Sequence, residues 1–208
     1  MAFGFGAKAG AFPLHIWLPD AYSNAPSPLA ALLSGVLSKT GIFGVIICIS
    51  KLFYDDERWC AFIIIIGLLT MIVGAFGAVL SEDMTRTVAY SSMSQLGFIL
   101  TGCGCLLYGN FEAAAGVGIY MLNHLMIKML FFAISGVIFT ALNTTKLDII
   151  RGYGRNKPLL KICFLTGALA IGGVPCFAGY IAKTFLHEAI LSLPFGFLDR
   201  AIEWIFLI

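Results

Sequence analysis

The chain has 208 residues, of which 60% are hydrophobic and 12% are charged, and its mean hydropathy is +0.95. A soluble domain of this composition would expose far more apolar surface than water tolerates, so the composition predicts an integral membrane protein. The formal net charge of +2 and the absence of a basic stripe with interleaved aromatic residues exclude a nucleic-acid-binding protein.

The first predicted element is a short apolar segment over residues 3–19, interrupted by Gly10 and Pro13. A loop is predicted over residues 20–28, and an apolar span follows from about Leu29 to Phe53. The chain enters the first apolar segment directly at Met1 and stops at Ile208 inside another apolar run, residues 201–208. We therefore expect both ends to be cut and the chain to be a fragment of a longer protein.

Four further spans complete the predicted helices. Trp59–Leu80 carries no charged residue, and residues 87–108 are more polar, which predicts a helix packed inside a bundle where neighbouring helices share its hydrogen bonds. Phe111–Leu142 is long enough to cross the membrane with tilt. The last complete span, residues 162–192, is interrupted at residues 172–175, which predicts two half-helices.

The loop between the last two spans predicts the orientation of the chain. It contains one acidic residue, Asp148, and five basic residues: Lys146, Arg151, Arg155, Lys157 and Lys161. Cytoplasmic loops of membrane proteins carry an excess of lysine and arginine, so we place this loop in the cytoplasm. Counting the spans backwards puts the loops at residues 20–27 and 81–86 on the same side and the acidic cluster Asp55–Glu57 outside.

Basic residues recur inside the predicted spans. Lys39 lies about ten residues into its span, roughly 15 Å from either end. A charged side chain at a helix centre costs roughly 2.5–3.5 kcal/mol on insertion scales, so its presence predicts a function. His124 and Lys128 are spaced i,i+4 and share one helix face, where burial and a neighbouring ammonium both favour proton exchange. The pair therefore predicts a proton relay.

Two more lysines lie beside the predicted helix interruptions. Lys183 follows the second interruption, with His187 four residues later and Glu188 next to it; those two lie nearer the outer end and are secondary candidates. Lys8 precedes the first interruption. Two broken helices that each carry a lysine are typical of a transporter with internal repeats. None of the six cysteines is in a C-x-x-C pair, so we predict no metal or cofactor site in the chain.

Four stretches, in this order, carry a resemblance to a known family: Lys8–Ala21, which includes His15 as a further secondary candidate, Asp83–Gly97, Asn123–Phe131 and Gly173–Lys183. Together they resemble the antiporter-like membrane subunits shared by respiratory complex I, membrane-bound hydrogenases and multisubunit Mrp-type Na+/H+ antiporters. The resemblance implies an all-α polytopic transmembrane bundle, part of a fold of about fourteen helices with two five-helix inverted repeats and two broken helices.

By this resemblance, residues 1–53 are the end of the first repeat, with a broken helix and the helix after it, and residues 54–208 are most of the second repeat. The resemblance places the proton pathway at five residues: Lys8 at the central lysine of the first broken helix, Lys39 at the lysine or histidine of the next helix, His124 and Lys128 at the polar positions before the second break, and Lys183 at the lysine or glutamate beyond it.

The function implied is that of a proton-translocating membrane subunit of a redox-driven complex, of the NADH:quinone oxidoreductase or hydrogenase type. The flavin, iron–sulfur or nickel–iron centres are expected in partner subunits, because this chain has no redox active site. Its partners are expected to be other membrane and peripheral subunits, the lipid bilayer, and protons or Na+, in a bacterial or archaeal cell membrane. A gradient-driven Na+/H+ antiporter subunit and a structural scaffold without transport are the alternatives.

Overall fold

A computed structural model describes residues 1–52, 57–106 and 111–192. In chain order its elements are α1 Ala2–Ala9, α2 Trp17–Asn24, α3 Ser27–Leu32, a π-helical turn Leu33–Leu37, α4 Ser38–Leu52, α5 Glu57–Leu80, α6 Met84–Cys105, α7 Phe111–Leu142, α8 Leu147–Ile150, a 3-10 turn Tyr153–Asn156, α9 Pro158–Gly172 and α10 Ala178–Leu191. The predicted all-α membrane bundle is confirmed. Within the described residues, three helices are long and apolar enough to cross a membrane: Ser27–Leu52, Arg58–Leu80 and Phe111–Leu142.

Both predicted helix interruptions are present. Gly10 ends α1 with φ 77°, and Gly173 ends α9 with φ 76°. Both angles lie in the left-handed region, which glycine enters without the steric penalty of a Cβ. In the first break the backbone N–H of Phe12 donates to Thr70 Oγ1 of α5 at 2.9 Å. The pairs α1–α2 and α9–α10 are therefore the two broken helices.

The predicted loop over residues 20–28 is wrong over most of its length. Residues 20–24 belong to α2, and only Ala25 and Pro26 separate α2 from α3. Asp20, predicted to begin the loop, lies in the first turn of α2, where a carboxylate complements the helix dipole. Pro19 precedes it in the same turn, where proline needs no hydrogen-bond donor.

Three other helix boundaries differ from those predicted. α6 begins at Met84 and not at residue 87, because the Asp83 carboxylate caps it and accepts hydrogen bonds from the N–H groups of Thr85 and Arg86 at 2.9 and 3.1 Å. α9 begins at Pro158 and not at residue 162, with proline in the first turn. The span predicted from Leu29 begins at Ser27 and contains a π turn. The acidic residues Asp55 and Asp56 and the run over residues 201–208 lie outside the described residues.

α6 is the interior helix of the bundle, as its polarity predicted, and it contacts α2, α4, α5, α7 and α10. Its closest neighbour is α5, because glycines let the two backbones approach each other. A Cβ built on Gly74 would lie 2.5 Å from the Ser94 backbone nitrogen, and one on Gly97 would lie 2.6 Å from the Met71 nitrogen. Small residues at such contacts are typical of helix packing in membranes.

Helix α2, the α5–α6 loop and the α7–α8 loop meet at one end of the bundle. Arg86 Nη2, at the start of α6, donates to Asp20 Oδ1 of α2 at 2.8 Å. The Met84 N–H donates to the Thr145 carbonyl at 2.9 Å, which ties the α5–α6 loop to the α7–α8 loop. Two of the loops that the span count placed on the same side of the membrane are thus in contact, and Asp20 of α2 joins them.

Candidate functional site

Three basic side chains are buried together in the middle of the bundle. Lys39, His124 and Lys128 are 8%, 2% and 0% exposed. Lys39 comes from the start of α4, and the other two lie one turn apart on the same buried face of α7. We call these three residues the basic cluster.

The π turn determines where Lys39 lies and what it binds. Lys39 Nζ donates to the Ser34 carbonyl, inside the π turn, at 2.6 Å. The neighbouring Leu33 carbonyl accepts a hydrogen bond from Tyr22 Oη at 3.2 Å. A π turn shifts carbonyl groups out of the regular α-helical register and occurs frequently at functional sites. In this chain the shifted segment gives the buried ammonium of Lys39 a backbone acceptor.

Lys39 also contacts His124 directly. The distance from Lys39 Nζ to His124 Nδ1 is 2.5 Å, although the two residues are 85 positions apart in the sequence. A hydrogen bond requires one donor and one acceptor, so His124 Nδ1 must be unprotonated when the lysine donates to it. His124 Nε2 is buried and has no hydrogen-bond partner among the described residues. The pair can therefore hold a proton between two nitrogen atoms.

Lys128 is held by α6. Its Nζ donates to Ser91 Oγ at 2.8 Å and lies 3.4 Å from the Val88 carbonyl and 5.9 Å from the centre of the Phe131 ring. In the described part of the chain no carboxylate forms an ion pair with any residue of the basic cluster. Each proton added to the cluster is thus a buried charge without a counter-ion, and such charges are costly. We infer that the cluster carries fewer positive charges than it has basic side chains.

Ser91 connects the basic cluster to Lys183. It lines a cavity of about 710 Å³ together with Lys128, and it also lines a second cavity of about 600 Å³ that contains Lys183. Ser94 and Gln95 of α6 line the second cavity as well. Polar side chains therefore follow α6 from Lys128 towards Lys183.

Lys183 lies over the second helix break, where the sequence placed it. Its Nζ is 3.4 Å from the Gly172 carbonyl, at the end of α9, and 5.3 Å from the centre of the Phe98 ring. Its side chain is also close to Gly173, since a Cβ built there would lie 2.9 Å from Lys183 Cδ. Lys183 is partly buried and lines the second cavity.

The other candidate residues are not brought to the cluster. Lys8, at the end of α1, is exposed, and His15 is partly buried and stacks on Phe12 with 5.6 Å between ring centres. His187 is partly buried and Glu188 is exposed on α10. Among the described residues no group of three or more His, Cys, Asp or Glu side chains could bind a metal ion.

The sequence predicted only hydrogen bonds between helices for Ser91 and Gln95, and it predicted no role for Ser34 and Tyr120. Tyr120 Oη donates to Gln95 Oε1 inside the bundle. Ser91 and Gln95 are spaced i,i+4 on α6, and this spacing was a usable signal that both lie on one face. The role of Ser34 had no such signal, because it depends on the π turn.

Comparisons with known proteins agree with this arrangement. The model of the family described as NADH:quinone oxidoreductase/Mrp antiporter, TM, matches residues 1–199. Hydrogenase-4 component B of Escherichia coli (strain K12) is 32% identical over 202 residues, which is 92% of this chain and 30% of that protein. An NAD(P)H-quinone oxidoreductase chain 4 of Picosynechococcus sp. is 34% identical over 189 residues, 90% of this chain and 34% of that protein. The chain thus spans about a third of the length of these curated relatives.

A solved structure is also similar. A chain in the structure of the Mrp complex from Dietzia sp. DQ12-45-1b superimposes on this chain with a TM-score of 0.87 at 25% sequence identity. The match covers 99% of this chain and 39% of the other. The broken helices and the helices between them therefore follow an arrangement already seen in a membrane complex.

Proposed function

Because the chain belongs to the NADH:quinone oxidoreductase/Mrp antiporter transmembrane family, we propose that it is part of a proton-translocating membrane subunit of a redox-driven complex. Membership confirms the resemblance carried by the four sequence motifs. Relatives named as a hydrogenase-4 component and a quinone oxidoreductase chain support the redox-driven type.

The contact between Lys39 and His124 is the observation that supports this proposal most. Two basic nitrogens 2.5 Å apart, both buried, can share one proton but not hold two without strong repulsion. A proton arriving at either residue must therefore displace the proton already there. A proton relay requires such displacement. A purely structural contact does not require it, because two neutral side chains could form that contact equally well.

The proposed pathway runs from Lys39 and His124 to Lys128, then past Ser91 into the cavity that holds Lys183. The Ser91 hydroxyl accepts from Lys128 and also borders the second cavity, so it can pass a proton between the two lysines. Lys8 is proposed to extend the pathway at the first break. Residues 1–53 then represent the end of the first five-helix repeat and residues 54–208 most of the second.

The energy for translocation is proposed to come from partner subunits. Flavin, iron–sulfur or nickel–iron centres there would carry the electrons, and their redox state would change the charge or shape around the basic cluster. Other membrane and peripheral subunits are the expected partners, and a bacterial or archaeal cell membrane is the expected location. His15, His187 and Glu188 are proposed as secondary positions near the ends of the pathway.

Replacement of Lys39 tests the proposal in the full-length subunit within its complex. We expect Lys39→Gln to lower proton uptake by membrane vesicles about tenfold or more per electron transferred, because the relay loses one of its two nitrogen bases. Lys51→Gln is the matched control, since Lys51 lies in the last turn of the same helix and is exposed. Dye quenching in vesicles, divided by the electron-transfer rate, measures the effect. Normal coupling in Lys39→Gln would contradict the proposal.

A gradient-driven Na+/H+ antiporter subunit is the second candidate, and it is favoured by the match to the Mrp complex at a TM-score of 0.87. The same vesicles distinguish the two functions. Proton movement started by an electron donor supports the redox-driven type, and proton movement started by a Na+ pulse without a donor supports the antiporter. In a scaffold without transport, Lys39→Gln would lower complex yield and leave coupling per complex unchanged.

A further inference from the structure

The cavity that Lys128 and Ser91 line is otherwise mostly apolar inside. It has a volume of about 710 Å³ and lies between α6, α7, α9 and the segment from α8 to the 3-10 turn. Its walls include Ile134 and Ile138 of α7 and Phe164 and Leu165 of α9. The size is typical of a site for a small molecule, but these walls favour an aliphatic occupant over water.

The rim of this cavity is basic. Arg155 and Lys161 line it, and both are exposed. A third cation lies beside them, because Lys157 Nζ is 3.7 Å from the centre of the Tyr153 ring, which also lines the cavity. None of the described lining residues is acidic. The rim therefore attracts an anion.

We propose that this cavity binds an anionic phospholipid, with the phosphate at Arg155 and Lys161 and an acyl chain between α7 and α9. The basic rim suits the anionic phosphate of such a lipid, and the mostly apolar interior suits its acyl chain. Basic pockets between transmembrane helices on the cytoplasmic side bind anionic head groups, and the basic loop predicts that side for this rim. A zwitterionic lipid would gain less from the rim, since its own cation would meet Arg155 and Lys161.

The test measures lipid binding directly and needs no turnover, so its result is independent of proton translocation. The delipidated complex with its full-length subunit is titrated with phosphatidylglycerol or phosphatidylcholine, and bound lipid is counted by native mass spectrometry. The double variant Arg155→Gln/Lys161→Gln, called the rim variant, should weaken phosphatidylglycerol binding about thirtyfold. Each cation near a membrane surface contributes roughly fivefold to the affinity for an anionic lipid. The control is Lys146→Gln with Arg151→Gln, which removes the same charge from the same loop outside the cavity lining.

A second variant tests the acyl-chain part of the proposal. Leu165 is 53% exposed and lines the cavity, so Leu165→Trp should fold and should fill the space. Reduced phosphatidylglycerol binding in this variant and in the rim variant, with the control unchanged, supports the proposal. The proposal is overturned if the rim variant and the control lose phosphatidylglycerol binding equally, or if the unmodified complex binds both lipids equally. It is also overturned if Leu165→Trp binds phosphatidylglycerol as before, or if inorganic phosphate displaces the bound lipid.

Discussion

Lys39, His124 and Lys128 are held by neutral groups and by one another. The Ser34 carbonyl and the Ser91 hydroxyl accept from the two lysines, and His124 accepts from Lys39. A carboxylate would bind an ammonium strongly and retain its proton, whereas a neutral acceptor leaves the proton free to transfer. The basic cluster is therefore suited to exchange protons and poorly suited to serve as a static ion pair.

Replacement of His124 separates relay from packing. Glutamine can still accept a hydrogen bond from Lys39, but its amide cannot take up an additional proton near neutral pH. We expect His124→Gln to keep the complex yield of the unmodified protein and to lower proton translocation about tenfold or more. Vesicle pumping and the yield of purified complex measure the two effects.

His124→Ala is the comparison for that variant. It removes one of the two acceptors of Lys39 and leaves a void beside a fully buried Lys128, so it should lower stability by about 1–3 kcal/mol in addition to stopping translocation. Full pumping in His124→Gln together with loss of protein in His124→Ala would show that His124 is structural.

Each irregular point in the helices has a side chain that satisfies a freed backbone group. Thr70 accepts from the Phe12 N–H in the first break, Tyr22 donates to the Leu33 carbonyl in the π turn, and Lys183 lies near the Gly172 carbonyl at the second break. Irregular backbone is tolerated inside a membrane only where protein or water replaces the lost bonds. The breaks are thus specific parts of the architecture.

The second break depends on close packing at Gly179. A Cβ there would collide with the Ala170 carbonyl oxygen and lie 3.2 Å from Asn123 Nδ2. Gly179→Ala should therefore force α9, α10 and α7 apart and lower stability by about 1–3 kcal/mol or more. Thermal unfolding of the purified complex measures this change.

Gly118→Ala is the matched control for this substitution. A Cβ on Gly118 of α7 meets no atom within 4 Å, and alanine favours the helix. Its stability should equal or slightly exceed that of the unmodified complex. Equal melting temperatures for the two alanine variants would refute the packing argument.

At the scale of the whole molecule, one end of the bundle is tied together across three connections. The ion pair of Arg86 with Asp20 is exposed, with side chains 45% and 60% accessible, so it contributes about 1 kcal/mol or less. The backbone bonds from Met84 to Thr145 and from Leu147 to Glu82, both 2.9 Å, are the firmer link. They join the start of α6 to the segment that leads to the second broken helix.

The side of the membrane on which these loops lie is a prediction from charge. In a subunit whose reactive native cysteines have been replaced, Asn156→Cys should react with an impermeant maleimide only from the cytoplasmic side. Asp56→Cys, in the acidic cluster outside the described residues, should react only from the opposite side. Labelling of intact cells and of inverted vesicles provides the measurement. The reverse pattern would invert the orientation of the chain.

Composition alone determined that this is a membrane protein, and glycine and proline positions determined both helix breaks, because these signals act within a few residues of the chain. The i,i+4 spacing likewise placed His124 and Lys128 on one face of α7. Local signals were less reliable at helix ends, where Asp20 was assigned to a loop although it lies in the first turn of α2.

Only the tertiary structure decided which basic groups meet. It brought Lys39 to His124, gave Lys128 an acceptor on α6, and left Lys8 exposed. In the sequence, all three lysines lie in or at the edge of apolar stretches. The physical reason is that spacing along the chain determines the face of a helix, whereas contact between helices depends on how each helix is rotated and packed. The π turn shifts that rotation just before Lys39, and no residue pattern in Leu33–Leu37 indicated it.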